Sequence, residues 1–177
     1  MVGLRMLATA LFVAALAGCA GIPEGIEPVK GFELARFLGT WYEIARLDHP
    51  FERGLERVTA HYALRPDGTI EVVNRGFDPA RGEWREARGR ARFAGDPGVG
   101  ALRVSFFGPF YGAYNVIALD REGYQYALVC GADRDFLWLL ARTPDPEPEV
   151  VESLIATARG LGFATERLLF VRHGPGP

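Results

Sequence analysis

The sequence predicts an all-β fold: a closed barrel of eight antiparallel, up-and-down strands, then one α-helix packed outside it and a short ninth strand. Eight strand-like runs follow one another between residues 40 and 142, and most alternate apolar with polar side chains. Short turns rich in glycine, proline and aspartate separate them, and one later segment has helical spacing. Strands connected in this order can pair with their neighbours and close, because closure removes exposed sheet edges.

The strand-like runs share a length of seven to eleven residues and a turn signal at each end. The strands are expected at Thr40–Asp48, Arg57–Arg65, Thr69–Phe77, Glu83–Phe93, Ala101–Phe107, Ala113–Asp120, Tyr124–Gly131 and Phe136–Arg142. A barrel of about eight strands is just wide enough inside for one small ligand.

The segment Glu147–Gly160 departs from this pattern. Val150, Leu154 and Ala158 repeat at helical spacing, and a proline and acidic residues precede them. The sequence therefore predicts one amphipathic helix on the outside of the barrel. Residues Thr165–Val171 are expected to form the ninth strand.

Composition is that of a single globular domain. The chain has 177 residues, 49% of them hydrophobic and 24% charged, with a formal net charge of −2. Its basic residues are not clustered, whereas a nucleic-acid surface needs concentrated positive charge to neutralise phosphates. Nucleic acid is therefore not expected as a partner.

The N-terminal residues have the form of a secretory signal. Arg5 precedes the apolar run Met6–Ala17, which is shorter than the roughly 20 residues that a membrane-spanning helix needs. Leu16-Ala17-Gly18-Cys19 resembles the lipobox of bacterial lipoproteins, which implies that Cys19 is lipidated and becomes the mature N-terminus. The alternative is an ordinary signal peptide in which Cys19 is incidental.

This interpretation divides the chain into four parts. Residues 1–18 are the predicted lipoprotein signal, 19–31 a lipidated tether that lifts the domain off the membrane, 32–172 the barrel domain and 173–177 a tail. The other cysteine, Cys130, lies in an apolar strand-like run, so it is expected to be buried rather than a reactive thiol.

Two motifs lie about a hundred residues apart. Gly39-Thr40-Trp41 opens the first strand and Arg142 closes the eighth. They resemble the first and third signature regions of the lipocalins, which implies that the Trp41 ring plugs the narrow end of the barrel under the Arg142 guanidinium. A cation over an aromatic ring contributes about 0.5 to 2 kcal/mol.

The resemblance extends to residues 32–172 and is closest to the bacterial outer-membrane lipoprotein lipocalins, relatives of apolipoprotein D. It is carried by Phe51–Val58, Val104–Tyr111 and Tyr114–Arg121. At the second signature, only Asp120 of the usual Thr-Asp-Tyr remains. The family implies a barrel that binds fatty acids, lysophospholipids or similar lipids, and an association with membrane maintenance under stress.

Strand alternation predicts which side chains face the interior. The expected ligand-binding residues are apolar or aromatic with a few polar groups: Tyr62, Asn74, Phe106, Tyr114, Trp138, Val72, Val116 and Leu140. Tyr62 and Asn74 are expected to bond a head group, unless these side chains simply fill a closed core. Alternation also places Glu43 inside, where a carboxylate needs either a strand bulge or a partner.

No catalytic residue, metal site or cofactor is predicted. Ser105 and Ser153 lack the Gly-x-Ser-x-Gly motif, and the histidines lack metal-ligand spacing. Asp48-His49 is interpreted as a solvated loop pair rather than a general base.

Three functions remain open from the sequence. The first is an outer-membrane, lipid-anchored carrier or store for a fatty acid or lysophospholipid, for which a homodimer is possible. The second is an anchored envelope interaction module with a filled barrel and an exposed aromatic patch at Phe107–Tyr111. The third is an enzyme acting on a lipid inside the barrel.

Overall fold

A computed structural model of the protein describes residues 21–174. The predicted signal segment and the predicted lipidation site Cys19 lie outside these residues. The strands are β1 (Gly39–Arg46), β2 (Glu56–Leu64), β3 (Ile70–Asp78), β4 (Glu83–Phe93), β5 (Ala101–Phe107), β6 (Phe110–Leu119), β7 (Tyr126–Cys130), β8 (Leu137–Ala141) and β9 (Leu169–Phe170). The helices are α1 (Leu34–Phe37), α2 (Pro148–Gly160) and a 3₁₀ turn at Thr165–Arg167.

Strands β1 to β8 form one closed antiparallel barrel. Each strand pairs with the next along the chain, and β1 pairs with both β2 and β8. Trp41 lies opposite Ala60 of β2, while Tyr42 lies opposite Ala141 of β8. The predicted fold class is confirmed.

Two element boundaries differ from the prediction for identifiable reasons. Strand β6 begins at Phe110 rather than Ala113, because the hairpin before it needs only the two residues Gly108 and Pro109 to turn. The ninth strand is only Leu169–Phe170, since a 3₁₀ turn occupies the start of the predicted run. It pairs with β1 on the outside of the barrel.

Two apolar cores lie on opposite faces of the barrel wall. The inner core fills the narrow end and includes Trp41, Tyr62 and Val116. The outer core lies between the wall and α2, where Leu154 and Ala158 are buried as the helical spacing predicts. Cys130 belongs to this outer core, and burial raises the pKa of its thiol to about 12.

Residues 21–31, assigned above to a tether, are part of the domain instead. Ile26 and Val29 are buried, because the segment packs against the barrel and places Ile26 in the outer core and Val29 in the inner core. The backbone N–H of Val29 donates to the Val116 carbonyl at 2.8 Å, and Gly100 donates to Val29 at 2.8 Å. This leader (residues 21–31) is therefore not a free spacer.

The two ends of the barrel are built differently. At the closed end, α1 covers the opening beside the turns at residues 66–68, 95–98 and 120–125. At the mouth, the long β1–β2 loop (residues 47–55) surrounds an opening together with the β5–β6 and β7–β8 connections. The first six residues of β4 are all exposed, because the interior beside them is open.

Candidate functional site

The barrel interior is hollow above its narrow end. A mouth chamber of about 690 Å³ leads into an inner chamber of about 90 Å³. The larger volume lies within the range of about 300 to 1,000 Å³ that is usual for small-molecule sites. Both chambers are bordered by Glu52, Val58, Asn74, Val104, Phe106, Ala113 and Trp138, so they form one continuous cavity.

Seven of the eight predicted ligand-binding residues border the inner chamber: Tyr62, Val72, Asn74, Phe106, Tyr114, Trp138 and Leu140. The eighth, Val116, does not border the cavity. It lies two residues further along β6 than Tyr114, towards the closed end, and is fully buried in the inner core. Alternation assigned Val116 to the correct face of the strand but not to the correct depth.

A pair of tyrosines forms the floor of the cavity. The hydroxyls of Tyr62 and Tyr114 are hydrogen-bonded at 2.7 Å, and burial raises the pKa of both phenols. Because the two hydroxyls bond each other, Tyr62 has less capacity to bond a ligand head group than the sequence predicted. Asn74 differs, because its buried Oδ1 has no hydrogen-bond partner among residues 21–174.

Glu43 is buried in the wall of the inner chamber, with 3% of its surface exposed. The two features that could accommodate an interior Glu43, a strand bulge and a partner, are both present. The β1–β8 register shifts between Glu43 and Ala45, and Arg46 Nη1 donates to Glu43 Oε1 at 2.6 Å. Arg46 also donates to the Glu52 carbonyl at 2.7 Å, which ties the β1–β2 loop to the barrel.

Glu52 makes a second buried carboxylate beside Glu43. Its Oε2 accepts a hydrogen bond from Trp138 Nε1 at 3.1 Å and lies 3.1 Å from His49 Nε2. Burial opposes ionisation of Glu52, but interactions with His49, Trp138 and Glu43 outweigh it and lower the pKa. Burial, followed by the charge of Glu52, holds the pKa of Glu43 well above its usual value. In this buried acid pair (Glu43 and Glu52), the pKa of Glu43 is raised and that of Glu52 is lowered, so Glu43 is the weaker acid of the two.

The interpretation of His49 as a solvated loop residue is wrong. His49 is 3% exposed and packs among three rings, with its centroid 5.9 Å from Phe51, 5.8 Å from Phe136 and 5.1 Å from Trp138. Sequence reasoning missed His49 and Glu52 as cavity-wall residues and Arg46 as the buried partner of Glu43. The available signal was the unpaired interior Glu43, which requires a nearby cation.

The mouth is lined by aromatic and charged side chains. Phe51, Phe107 and Phe110, here called the aromatic rim, are 70%, 75% and 80% exposed and all border the mouth chamber. Arg75 and Arg85 border the same chamber. The largely apolar lower wall and the charged mouth suit a molecule with an apolar tail and a polar head.

The closed end carries the predicted signature. The Arg142 guanidinium carbon lies 3.9 Å from the centroid of the fully buried Trp41 ring. Arg142 donates to four backbone carbonyls, those of Arg36, Leu38, Thr40 and Tyr124. Gly39 has φ +93°, which glycine tolerates, and a Cβ there would lie 3.5 Å from Arg142 Nη1.

Comparison with known proteins places this architecture in a family. A model of the lipocalin-like domain matches residues 32–173. The chain belongs to the lipocalin family. Solved structures that resemble it include insecticyanin from the tobacco hornworm Manduca sexta, with a TM-score of 0.70 and 21% identity over 87% of this chain and 89% of that one.

Curated relatives identify the branch of lipocalins. Outer membrane lipoprotein Blc of Escherichia coli K12 is 53% identical over 94% of this chain and 93% of its own. Blc of Citrobacter freundii is 53% identical over 93% of each chain, and mouse apolipoprotein D is 31% identical over 88% of this chain and 91% of its own. These relatives confirm the identification as an outer-membrane lipoprotein lipocalin.

Lipocalins are generally binding proteins, and this one is a membrane-associated protein with a cavity for a small hydrophobic ligand. Within residues 21–174, no helix has the length and apolar character required to cross a membrane. Nor does any group of three or more His, Cys, Asp or Glu side chains in this range have a metal-binding arrangement.

Proposed function

We propose that this lipocalin stores or transports a fatty acid or a lysophospholipid-like amphiphile for maintenance of the cell envelope under stress, without catalysing a reaction. The observation that carries the proposal is the open cavity, whose aliphatic and aromatic wall contains only a few polar groups. Burying an acyl chain there is favourable by about 0.8 kcal/mol for each methylene removed from water.

The distribution of charge supports one orientation of the ligand. The inner chamber is bordered by Glu43 and Glu52, and among its bordering residues there is no Lys or Arg. An anionic head group there would lie beside Glu43 and Glu52 with no cation among the bordering residues, whereas the mouth chamber, which Glu52 and Glu86 also border, supplies Arg85. The acyl tail therefore enters first and the head group stays at the mouth. Asn74 supplies an amide partway down the wall.

The alternative of an interaction module with a filled barrel loses support from the 690 Å³ mouth chamber. What remains in its favour is the aromatic rim, because exposed apolar patches often mark a binding surface.

The three tryptophans allow a selective test. Trp138 borders the cavity, Trp41 is fully buried at the closed end, and Trp84 is exposed on β4. A fatty acid carrying a nitroxide near the middle of its chain should quench Trp138 fluorescence saturably. Trp138→Phe should remove most of that quenching, and the control Trp84→Phe should retain it.

Equal quenching of the wild type and Trp138→Phe would contradict ligand binding in the cavity. Native mass spectrometry after mild extraction complements this test. A co-purifying amphiphile supports the carrier function, whereas an empty chain with a bound protein supports the interaction module and a chemically altered lipid supports an enzyme.

A further inference from the structure

The described chain starts on the side of the barrel, against the outer face of β6. The Gly21 carbonyl accepts a hydrogen bond from Asn115 Nδ2 at 2.7 Å, and a Cβ on Gly21 would lie 2.9 Å from the Ala113 Cβ. Both contacts are near the middle of β6, away from either end of the barrel. Cys19 precedes Gly21 by two residues, a reach of about 7 Å at most. The predicted lipid anchor therefore joins the domain at mid-height on its wall.

Two arginines lie next to this point on the same outer face. Arg103 of β5 is the direct register partner of Ala113, and Arg92 of β4 is the direct register partner of Arg103. Directly paired residues of an antiparallel sheet point to the same face, so both side chains share the outer wall with Gly21. Both arginines are exposed, and the guanidinium carbon of Arg92 lies 4.6 Å from the centroid of the exposed Tyr111 ring. Arg92, Arg103 and Tyr111 are here called the basic wall patch.

The charge of the basic wall patch is not neutralised within the domain. Among residues 21–174, no carboxylate lies within 4.0 Å of the Arg92 or Arg103 guanidinium nitrogens. Arg88, on the same face of β4, pairs instead with Glu86 at 2.8 Å. Like charges directly opposite each other on neighbouring strands destabilise a sheet. An anion from outside the domain would therefore relieve a repulsion that the fold itself leaves in place.

The surface on the other side of β6 has the opposite charge. Helix α2 packs against β7, the strand that follows β6. Glu149 and Glu152 of α2 and Glu147 directly before it are exposed, against one exposed arginine of the helix, Arg159. The predicted anchor therefore joins the wall at the boundary between a basic surface on β4 and β5 and an acidic surface on α2.

We propose that the outer wall of β4 and β5 rests on anionic phospholipid head groups of the leaflet that holds the anchor, with Arg92 and Arg103 bound to their phosphates. Anionic leaflets attract basic side chains close to their surface, and a basic surface adds to the attachment that acyl chains provide. Tyr111 adds an aromatic ring, which is favoured at the level of the head groups. The guanidinium groups stay among phosphates and do not enter hydrocarbon, where their charge would be costly.

The carboxylates of the leader do not cancel this attraction. Glu27 is paired with Lys30 at 3.6 Å. The backbone carbonyl of Glu24 accepts a hydrogen bond from Arg134 Nη2 at 2.7 Å, which places Glu24 towards the β7–β8 connection and away from β5. The docking rests on the predicted anchor and on the basic wall patch, and it does not depend on the ligand of the cavity.

The test uses the mature, lipidated protein on vesicles of phosphatidylethanolamine mixed with either anionic phosphatidylglycerol or neutral phosphatidylcholine. A nitroxide at Arg90→Cys reports the wall of β4, and one at His61→Cys reports β2, on the opposite side of the barrel from β6. Cys130 is buried and can remain in place. On anionic vesicles the Arg90 label should collide about threefold less often with an uncharged, water-soluble nickel complex than on neutral vesicles. The His61 label should collide equally often on both.

A double variant, Arg92→Gln with Arg103→Gln, tests the basic wall patch in the Arg90-labelled protein. It should remove the protection from nickel while the protein still floats with the vesicles through its anchor. Arg92→Lys with Arg103→Lys keeps both charges and should retain most of the protection. The matched control, Arg81→Gln with Arg167→Gln, removes two exposed arginines elsewhere and should leave the protection unchanged. Raising the salt to about 1 M, where the Debye length is about 3 Å, should remove it.

Other outcomes overturn the docking. Equal nickel access to the Arg90 label on both kinds of vesicle contradicts it, as does protection that persists in the glutamine double variant. An equal loss of protection in the control would assign the effect to net charge and not to this wall. Protection on neutral vesicles with strong coupling between labels of two molecules would assign the wall to a homodimer. Failure of the wild type to float would refute the anchor and the docking together, whereas fatty-acid quenching of Trp138 tests the proposed function separately.

Discussion

The two ends of the barrel use the same strands for opposite purposes. At the closed end, large inward side chains such as Trp41 and Tyr62 pack against the Phe37 ring of α1 and exclude solvent. Towards the mouth, the residues that border the opening include Gly76, Ala87 and Gly112, which leave the space empty. The size of the inward residues at each level therefore determines where along the barrel the cavity lies.

The ends also differ in how their polar groups are satisfied. Arg142 bonds four backbone carbonyls at the closed end, which fixes α1 to the barrel. The buried acid pair and Arg46 fix the β1–β2 loop nearer the mouth, and this network borders the inner chamber. We therefore expect closed-end substitutions to act on stability and mouth-side substitutions to act on ligand binding and pH response.

The largest effect is expected from Arg142→Ala. The substitution leaves four carbonyls without their donor and exposes the Trp41 ring, so the free energy of unfolding should fall by about 3 kcal/mol or more. Urea denaturation measures this loss. Arg142→Lys keeps the charge but not the planar set of donors, so it should recover only part of the stability.

Fatty-acid affinity of the folded Arg142→Ala protein should change less than threefold. A large loss of affinity with little loss of stability would contradict the division between the two ends.

A smaller effect is expected from the buried acid pair. Because the pKa of Glu43 is raised in the folded state, this group favours folding below its unfolded pKa, and that contribution is lost as the pH rises through the raised value. Glu43→Gln should remove this loss. The two unfolding free energies should separate with rising pH, by at most about 1.4 kcal/mol per pH unit.

Glu52 should show the opposite dependence. Its lowered pKa gives stability that is present above the unfolded pKa and lost as the pH falls through the folded value. Glu52→Gln should therefore flatten the acid limb of the stability curve. The control Glu83→Gln, at an exposed position on β4, should follow the wild type. Parallel curves for all variants would contradict the opposite pKa shifts of Glu43 and Glu52.

The smallest effect on stability is expected from Phe106→Ala. The Phe106 ring borders both chambers, so the free energy of unfolding should fall by about 1 kcal/mol, below the 3 to 5 kcal/mol typical of a fully packed phenylalanine. Fatty-acid affinity should fall about tenfold, equivalent to about 1.4 kcal/mol. Calorimetric titration alongside urea denaturation separates the two quantities. A stability loss equal to that of Arg142→Ala would show that Phe106 belongs to a packed core.

Residue patterns within single strands predicted the parts of the fold that depend on which side of a strand a residue faces. Alternation assigned Tyr62, Asn74 and Trp138 to the interior, because each side of a strand meets one environment. The Gly-x-Trp and Arg142 motifs predicted the closed end, where the interaction is fixed by strand pairing. Depth along the barrel has no such signal, which is why Val116 was assigned to the cavity.

Irregular segments were predicted less well. The positions of His49 and Glu52 depend on how a nine-residue loop folds over the mouth, and no periodicity describes such a loop. The leader contains Gly and Pro, which indicated a spacer, but Ile26 and Val29 find apolar partners only after the barrel has formed.

The packing of the leader limits how far the cavity can travel. Because the Gly21 carbonyl is hydrogen-bonded to Asn115 of the barrel, residues 21–31 add no free length between the barrel and the predicted anchor at Cys19. We therefore expect the cavity to stay at the membrane that holds the anchor, so that a lipid ligand must diffuse to it or be delivered by a separate mobile component.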